Sequence, residues 1–210
     1  MKKGKTIRCL PEEGNVAFRI HPKVRGIFSD LPTGNLLDIG TGKGHLGHEL
    51  YQMGFDVYAC DALYLNKFKE LKWKKVDLNE ENLPYDDNYF DYVLFIEVVE
   101  HLENPSKTIR ELSRVLKTGG IAVMSTPFTG SLIQKIYYMF TGNFLHYYWP
   151  ARQYGHITPL ITPQLNDMLK RSNLEIEKTI YDRGWLPLLR LKLPAISIFG
   201  DHCIMKLKKN

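Results

Sequence analysis

The sequence predicts an α/β fold with a mostly parallel sheet. Three observations carry this. Short apolar runs alternate with helical patterns without a break up to Thr126, and a glycine-rich turn directly follows the first run. The run Phe90 to Ile96 is almost continuously apolar, as strands buried on both faces are.

Residues 1 to 21 carry no clear periodicity. His21-Pro22 followed by Val24, Ile27, Phe28 and Leu31 fits a short amphipathic helix ending at Pro32, either a lid over a nucleotide site or a surface helix with no ligand contact. Asn35 to Gly47 reads as strand, turn and helix start. Leu36, Leu37 and Ile39 form the buried strand, and Gly40, Gly42 and Gly44 follow at alternate positions where no side chain blocks a ligand. A helix opening from about His45 aims free N–H groups and the positive end of its dipole at a negative group on that ligand. Leu46, Leu50 and Met53 share its apolar face, and Gly54 ends it.

Asp56 to Cys60 forms the next strand and closes on Asp61. That is about 20 residues after the turn, where a doubly wound fold places the carboxylate for ribose hydroxyls. Leu63 to Leu71 suits a helix, and Trp73 to Val76 a third strand closing on Asp77. After the polar loop Asn79 to Asn88, the Phe90 to Ile96 strand is expected beside the first. Asn104-Pro105 opens a helix with Ile109, Leu112, Val115 and Leu116 on one face, and Gly119-Gly120 stops it before the strand Ile121 to Ser125. From Pro127 to Pro163 the pattern turns aromatic and irregular, with Phe128, Tyr137, Tyr138, Phe140, Phe144, Tyr147, Tyr148, Trp149 and Tyr154, and reads as an insertion. Gln164 to Arg171 resumes as helix and Leu174 to Tyr181 as strand. Asp201 to Leu207 is the last strand, and the long segment Trp185 to Phe199 separates the two.

At 210 residues and 44% hydrophobic content the chain supports one substantial core and a single domain. The 28 basic residues nearly match the 23 acidic ones, so the net charge of +5 permits nucleic acid without indicating it. Cys9, Cys60 and Cys203 form no CxxC pair, which argues against a disulfide framework and a zinc ribbon. The opening Lys2, Lys3 and Lys5 lead to Pro11, Glu12 and Glu13 before any apolar run of signal length, and no span approaches the roughly 18 apolar residues of a membrane helix. The expected location is the cytoplasm.

Gly42-x-Gly44-x-x-Gly47 satisfies the dinucleotide fingerprint, which keeps a nicotinamide or flavin enzyme open. A P-loop is disfavoured, because Lys43 precedes Gly44 and position 37 is Leu. The acidic residues at successive strand ends, Asp38, Asp61 and Asp77, suit a ligand with an ammonium, a ribose and an adenine. With Leu37 to Gly42, the strand ending in Asp61, the Asp77-Leu78 pair, Phe90-Asp91 and Leu116 to Gly120, the chain resembles the class I S-adenosylmethionine-dependent methyltransferases. The resemblance implies a Rossmann-like, seven-stranded sheet flanked by helices. It also implies that the backbone from Asp38 through Gly40, Thr41 and Gly42 to Gly44 surrounds the methionine part, that Asp61 holds the ribose, and that Asp77 meets the adenine amino group with Leu78 beside the ring. An N-cap role is the competing reading for Asp77. Residues 1–34 then form an N-terminal lid, 35–126 the cofactor-binding core, 127–163 an acceptor-binding insertion, and 164–210 a C-terminal helix and strands.

Glu97-Val-Val-Glu100-His101 follows the central strand. As a helical turn it places Glu97, Glu100 and His101 on one face, able to hold a divalent cation at the cleft or, more plainly, to put acids at a helix start. Tyr154-Gly-His156-Ile-Thr with Thr162-Pro163 resembles the ubiquinone-biosynthesis O-methyltransferases, and the ExxEH arrangement resembles both these and the small-RNA 3′-end 2′-O-methyltransferases. The resemblance implies Glu97, Glu100, His101 and His156 as metal ligands, with Glu97 also at the cofactor; a hydroxyl acceptor needs a base or a cation, and His101 and His156 are the candidate bases. The segment between Phe128 and Tyr154 matches only loosely, so its aromatic residues are open to three roles: an apolar acceptor pocket, a membrane-facing patch, or packing of the insertion onto the sheet. The expected function is O-methylation of a small or lipid-like hydroxyl acceptor. A sugar or RNA 2′-O-methyltransferase, a catalytically silent cofactor-binding subunit and a nicotinamide oxidoreductase are the alternatives.

Overall fold

Asn35–Ile39 (β1) is buried at every position after its first and lies near the middle of a seven-stranded sheet. A computed structural model describes residues 16–63, 67–147, 155–182, 185–186, 191–192 and 194–210. β1 pairs in parallel with β2 (Asp56–Asp61) on one side and β4 (Phe90–Ile96) on the other, while β3 (Lys72–Lys75) and β5 (Leu116–Pro127) extend the parallel array. β9 (His202–Lys209) inserts antiparallel between β5 and β6 (Leu174–Tyr181), giving the order β3-β2-β1-β4-β5-β9-β6. β7 (Trp185–Leu186) and β8 (Leu191–Lys192) form a separate two-stranded ribbon. The architecture is the expected Rossmann-like sheet flanked by helices.

Alternation along the strands sorts the core into two layers. Leu36, Tyr92 and Leu94 face α1 (Val16–Phe28) and α2 (His45–Gln52), meeting Ile20, Val24, Phe28, Leu46 and Leu50. Leu37, Ile39, Val93 and Phe95 face the other way, toward Ile109 and Leu112 of α3 (Pro105–Val115) and Leu165 and Leu169 of α5 (Thr162–Arg171). Asn104 caps α3, its side chain accepting from the Lys107 N–H, and Pro105 takes the first turn where no N–H is needed.

Several elements differ from expectation. The first helix starts at Val16, carries Pro22 inside it and stops at Phe28. Ile20, Val24 and Phe28 are fully buried, and at ~1.5–3 kcal/mol for each such side chain the helix is a built-in layer of the fold. Residues 1–15, the rest of the expected lid, lie outside the described residues. No helix forms over 67–71, and 64–66 lie outside the described residues. Phe68 instead stacks on His48, and Leu71 turns into the core. Gly119-Gly120 does not stop α3, which ends at Val115. The two glycines sit within β5 where its register with β4 shifts between Phe90 and Tyr92. Gly119 is left-handed at φ 76, and a Cβ on Gly120 would lie 2.7 Å from the Lys117 carbonyl, so the excursion needs both.

The insertion contains a helix, α4 (Leu132–Thr141), capped by Ser131 and closed by Gly142 at φ 68. Its fully buried residue is Gln134, while Leu132, Ile136, Tyr138, Met139 and Phe140 are exposed. That inversion hides the helix from a search for an apolar inner face. Tyr148, Trp149 and Tyr154 lie outside the described residues.

Candidate active site

The order β3-β2-β1-β4 reverses direction at β1, and a ligand site in such a sheet falls beyond the carboxyl ends of the strands at this switch. Parallel registers bring Ile39 level with Cys60 and Phe95, and Asp61 level with Lys75, so residues 40, 61, 76–77 and 97 emerge along one edge.

The glycine turn is left-handed at Gly40 (φ 70), Gly42 (φ 56) and Gly44 (φ 82), a sequence of conformations that side-chain-bearing residues adopt only at a cost. The Gly40 and Thr41 N–H groups donate to the Cys60 carbonyl, tying the turn to β2. A Cβ on Gly40 would lie 2.4 Å from Val98 Cγ2, whereas one on Gly42 would meet nothing within 4 Å. The arch is therefore closed on its Val98 side and open over Gly42.

Asp38 points inward and braces the turn. Its Oδ2 accepts from Thr41 Oγ1 at 2.7 Å, and a Cβ on Gly47 would lie 3.0 Å from the same oxygen. Burial pushes its carboxyl up to about 7, with the Thr41 and Gly47 hydrogen bonds pulling against it. Asp61 stands over the turn instead, Oδ2 accepting from the Gly42 N–H at 2.8 Å and Oδ1 from the Leu63 N–H at 2.9 Å. Asp77 follows Val76 and forms an Asx turn to the Asn79 N–H at 3.0 Å, while its carbonyl accepts from Glu80 and Glu81. No helix opens at Asp77, so this is a local turn and not the helix N-cap weighed for it. Leu78 packs at the edge of the core beneath.

Beyond β4 the chain does not form the helical turn that would align Glu97 with Glu100 and His101. Glu97 is left-handed at φ 55, and only Val99–His101 make a short 3-10 turn. The Glu97 side chain crosses to β5 and β9, where Oε1 accepts from Ser125 Oγ at 2.7 Å and Oε2 lies 3.2 Å from His202 Nε2. Burial works against the charged carboxyl, but the adjacent His202 outweighs it and holds Glu97 below its ordinary pKa.

Glu100, His101 and His156 do converge, with ligand atoms all within 4.8 Å of one another. Glu100 is fully buried. Its Oε2 accepts weakly from Thr126 Oγ1 at 3.4 Å, and its Oε1 has no hydrogen-bond partner. Burial, and then the Glu97 charge, push its carboxyl well above the ordinary range. The His101 and His156 rings meet edge to face at 4.8 Å, and burial lowers both pKa values, His156 to about 4. His156 Nδ1 lies 2.9 Å from the His146 carbonyl, which fixes Nδ1 as the donor and leaves Nε2 with its lone pair. A neutral imidazole with a fixed tautomer can accept a proton from a hydroxyl.

Sequence reasoning missed three residues beside this group. His146 Nε2 contacts Asp201 Oδ1 at 2.6 Å, and Asp201 Oδ2 lies 3.4 Å from His202 Nδ1. His202 opens β9 with Asp201 just before it, and an adjacent acid and imidazole at the mouth of a buried strand is the one local signal that could have drawn attention to them.

A family model described as a methyltransferase domain matches residues 14–179. A ubiquinone biosynthesis O-methyltransferase from Rickettsia bellii is 27% identical over 183 residues, covering 79% of this chain and 75% of the relative. Among solved structures, a SAM dependent methyltransferase from Archaeoglobus fulgidus aligns with a TM-score of 0.69 at 19% identity, over 94% of this chain and 96% of that one. A protein from Thermotoga maritima titled a possible histamine N-methyltransferase aligns at 0.64 and 17%, over 92% of each. These two are likenesses of fold, and fold does not choose an acceptor.

Proposed function

The chain belongs to the methyltransferase-domain family and is an S-adenosylmethionine-dependent enzyme, and on that premise we propose that it methylates a hydroxyl oxygen of a small, lipid-like acceptor. The observation that carries the placement of the cofactor is the left-handed glycine arch, open over Gly42 and overlooked by the Asp61 carboxylate. The residues present fit that cofactor. The backbone from Asp38 through Gly40, Thr41, Gly42 and Gly44 would take the methionine part, Asp61 the ribose hydroxyls, and Asp77 the adenine amino group with Leu78 beside the ring. When bound, the cofactor supplies a methyl group carried on a sulfonium.

The chain's own task is to hold an acceptor oxygen in line and to take its proton. His156 is our candidate base, because the His146 carbonyl holds its Nδ1 as donor and so leaves the lone pair on Nε2. His101 sits against it and restricts the ring. We assign the acceptor to the region over residues 127–163. Exposed Leu132, Ile136, Met139 and Phe140 on α4, together with the absence of any Asp or Glu between Pro127 and Asn166, support an apolar acceptor drawn from an anionic lipid surface. The Rickettsia bellii relative's name agrees with a lipid-like acceptor.

Calorimetry with S-adenosylhomocysteine and NAD tests the cofactor reading, and binding of neither would overturn it. Turnover with prenylated phenols against RNA oligonucleotides tests the acceptor. Activity confined to RNA, with steep salt dependence, would refute the lipid-like reading, as would no turnover at all, the outcome for a silent subunit. Flotation with anionic vesicles tests the surface: Phe140→Asp with Met139→Asp should abolish it without loss of stability.

A second reading adds a divalent cation held by Glu100, His101 and His156, favoured by the buried Oε1 of Glu100, which has no hydrogen-bond partner and lies 4.0 Å from His101 Nε2. Such a cation would lower the pKa of the acceptor hydroxyl. Glu97 is engaged elsewhere, so the set contains three of the four expected ligands. Full activity after exhaustive EDTA treatment would end this reading.

A further inference from the structure

The carboxyl end of β4 is held from behind by a buried chain of polar groups. Glu97 sits at φ 55, a left-handed conformation that strains a side-chain-bearing residue, and such strain persists only where the surroundings enforce it. Here they do. The Glu97 N–H donates to the Ser125 carbonyl at 3.2 Å and to Ser125 Oγ at 3.1 Å, while its carboxylate takes Ser125 Oγ on one oxygen and His202 Nε2 on the other. His202 is 1% exposed, and its Nδ1 lies 3.4 Å from Asp201 Oδ2, an ion-pair contact without hydrogen-bond geometry. Arg19 lies 3.5 Å from Asp201 Oδ2 and 3.6 Å from Asp182 Oδ2, so the outer end of the chain of groups is tied to α1 as well.

The chain ends on functional groups in both directions. On one side the residue after Glu97 is Val98, whose side chain fills the space a Cβ on Gly40 would need, so the Glu97–Val98 segment forms the closed wall of the glycine arch. On the other side Asp201 holds His146, whose carbonyl fixes the tautomer of His156. Backbone pairing of β9 with β5 places Pro127 opposite His202 without any of these side chains, so the strand's position does not depend on them.

We propose that His202 is a positioning residue: gripping Glu97 from beneath the sheet edge, it sets the wall of the cofactor arch and, through Asp201 and His146, registers the candidate base His156 to the same anchor. The inference rests on the reading that the glycine arch binds S-adenosylmethionine. It implies that cofactor affinity and base orientation share one buried support.

The test compares His202→Gln, His202→Phe, Ser125→Ala and Glu97→Gln in the full chain by calorimetry with S-adenosylhomocysteine, alongside the amide NMR shifts of Gly40 and Gly42 without ligand. Phe should weaken binding by about tenfold or more, while Gln, which still offers Glu97 an N–H, should recover affinity to within about threefold of wild type. Combined with Glu97→Gln, the His202→Phe loss should not multiply, because both break one contact. The Gly40 and Gly42 amides should shift in His202→Phe and Ser125→Ala, and by less in His202→Gln. Wild-type affinity in a folded His202→Phe protein, multiplying losses, or unmoved glycine amides would each overturn the proposal. Should Phe prevent folding, the Gln and Ser125→Ala amide shifts decide alone. A wild-type chain that binds no S-adenosylhomocysteine would sink the cofactor reading instead, and the ligand-free shifts would still judge the strut.

Discussion

Gly40 and Gly42 share a left-handed backbone but face different surroundings, and that contrast separates a structural requirement from a ligand requirement. Alanine at either position carries the left-handed penalty of about 1–2 kcal/mol. At Gly40 the new methyl would also lie 2.4 Å from Val98 Cγ2 and 3.0 Å from Cγ1. Val98 is β-branched and stiff, so overpacking adds about 1–3 kcal/mol, for a total of roughly 2–5 kcal/mol. At Gly42 nothing lies within 4 Å, so the penalty stands alone. For a chain of this size each kcal/mol moves Tm by about 2–4 °C. Gly42→Ala should therefore lower Tm by roughly 2–8 °C and Gly40→Ala by roughly 4–20 °C. Binding should follow a different logic, because the methyl on Gly42 enters space we assign to the cofactor. Overpacking there of about 1–3 kcal/mol predicts S-adenosylhomocysteine affinity falling about 5- to 150-fold, measured by calorimetry well below Tm. Affinity within about twofold of wild type in Gly42→Ala would refute the placement of ligand over that residue, and a Gly40→Ala protein as stable as Gly42→Ala would refute the steric argument.

Three further outcomes are expected. Asp38 is raised by burial to about 7 from 3.8, so the fold takes up a proton there: its contribution is full below pH 3.8 and is lost as pH climbs through 7. Asp38→Asn should remove this loss and gain on wild type by up to about 4 kcal/mol between pH 4 and pH 8, and parallel urea-denaturation profiles for the two proteins would contradict it. His156→Ala should cut turnover by about 10²- to 10⁴-fold while leaving S-adenosylhomocysteine affinity unchanged, and a fall in affinity alone would remove His156 from the role of base. Lys209 Nζ donates to Asn88 Oδ1 and to the carbonyls of Ser113 and Leu116 at 2.7–2.9 Å, closing the C-terminal end of α3. Lys209→Met should cost about 1–3 kcal/mol, read as a Tm shift, and no shift would mean that water replaces the cation without loss.

The parallel core was legible because local pattern and tertiary role agree there. Leu36, Leu37 and Ile39 are apolar on alternating faces and each face has a helix to meet, while three glycines after them have no local use except a left-handed turn. Legibility failed where a residue type serves two geometries. Gly119-Gly120 after a helical pattern reads as a stop, but the same freedom serves a register shift inside β5. Leu63 to Leu71 holds enough apolar residues for a helix, yet Phe68 and Leu71 satisfy their burial through stacking on His48 and insertion into the core, and no helix forms over 67–71. α4 buries a glutamine and exposes its apolar side chains, the reverse of what amphipathic periodicity detects.

The candidate site divides along the same physical line. Asp38, Asp61 and Asp77 could be grouped from sequence because parallel strands bring successive strand ends to one edge, so position along the chain translates into position in space. The Glu97, Glu100, His101 grouping used a helical spacing, and that rule holds only where every residue concerned is helical. Glu97 at φ 55 breaks it. No sequence rule assigns that conformation to a glutamate, because the local energy disfavours it; it exists here because Ser125 and His202, both distant in sequence, hold the carboxylate from the opposite side. The residue that decides the geometry of the motif is therefore absent from the motif. Where a non-glycine residue at a strand end is forced left-handed, the informative search is for its buried partner elsewhere along the sheet, and in this chain that search leads from Glu97 across β5 to His202 of β9 and on to His146 and His156.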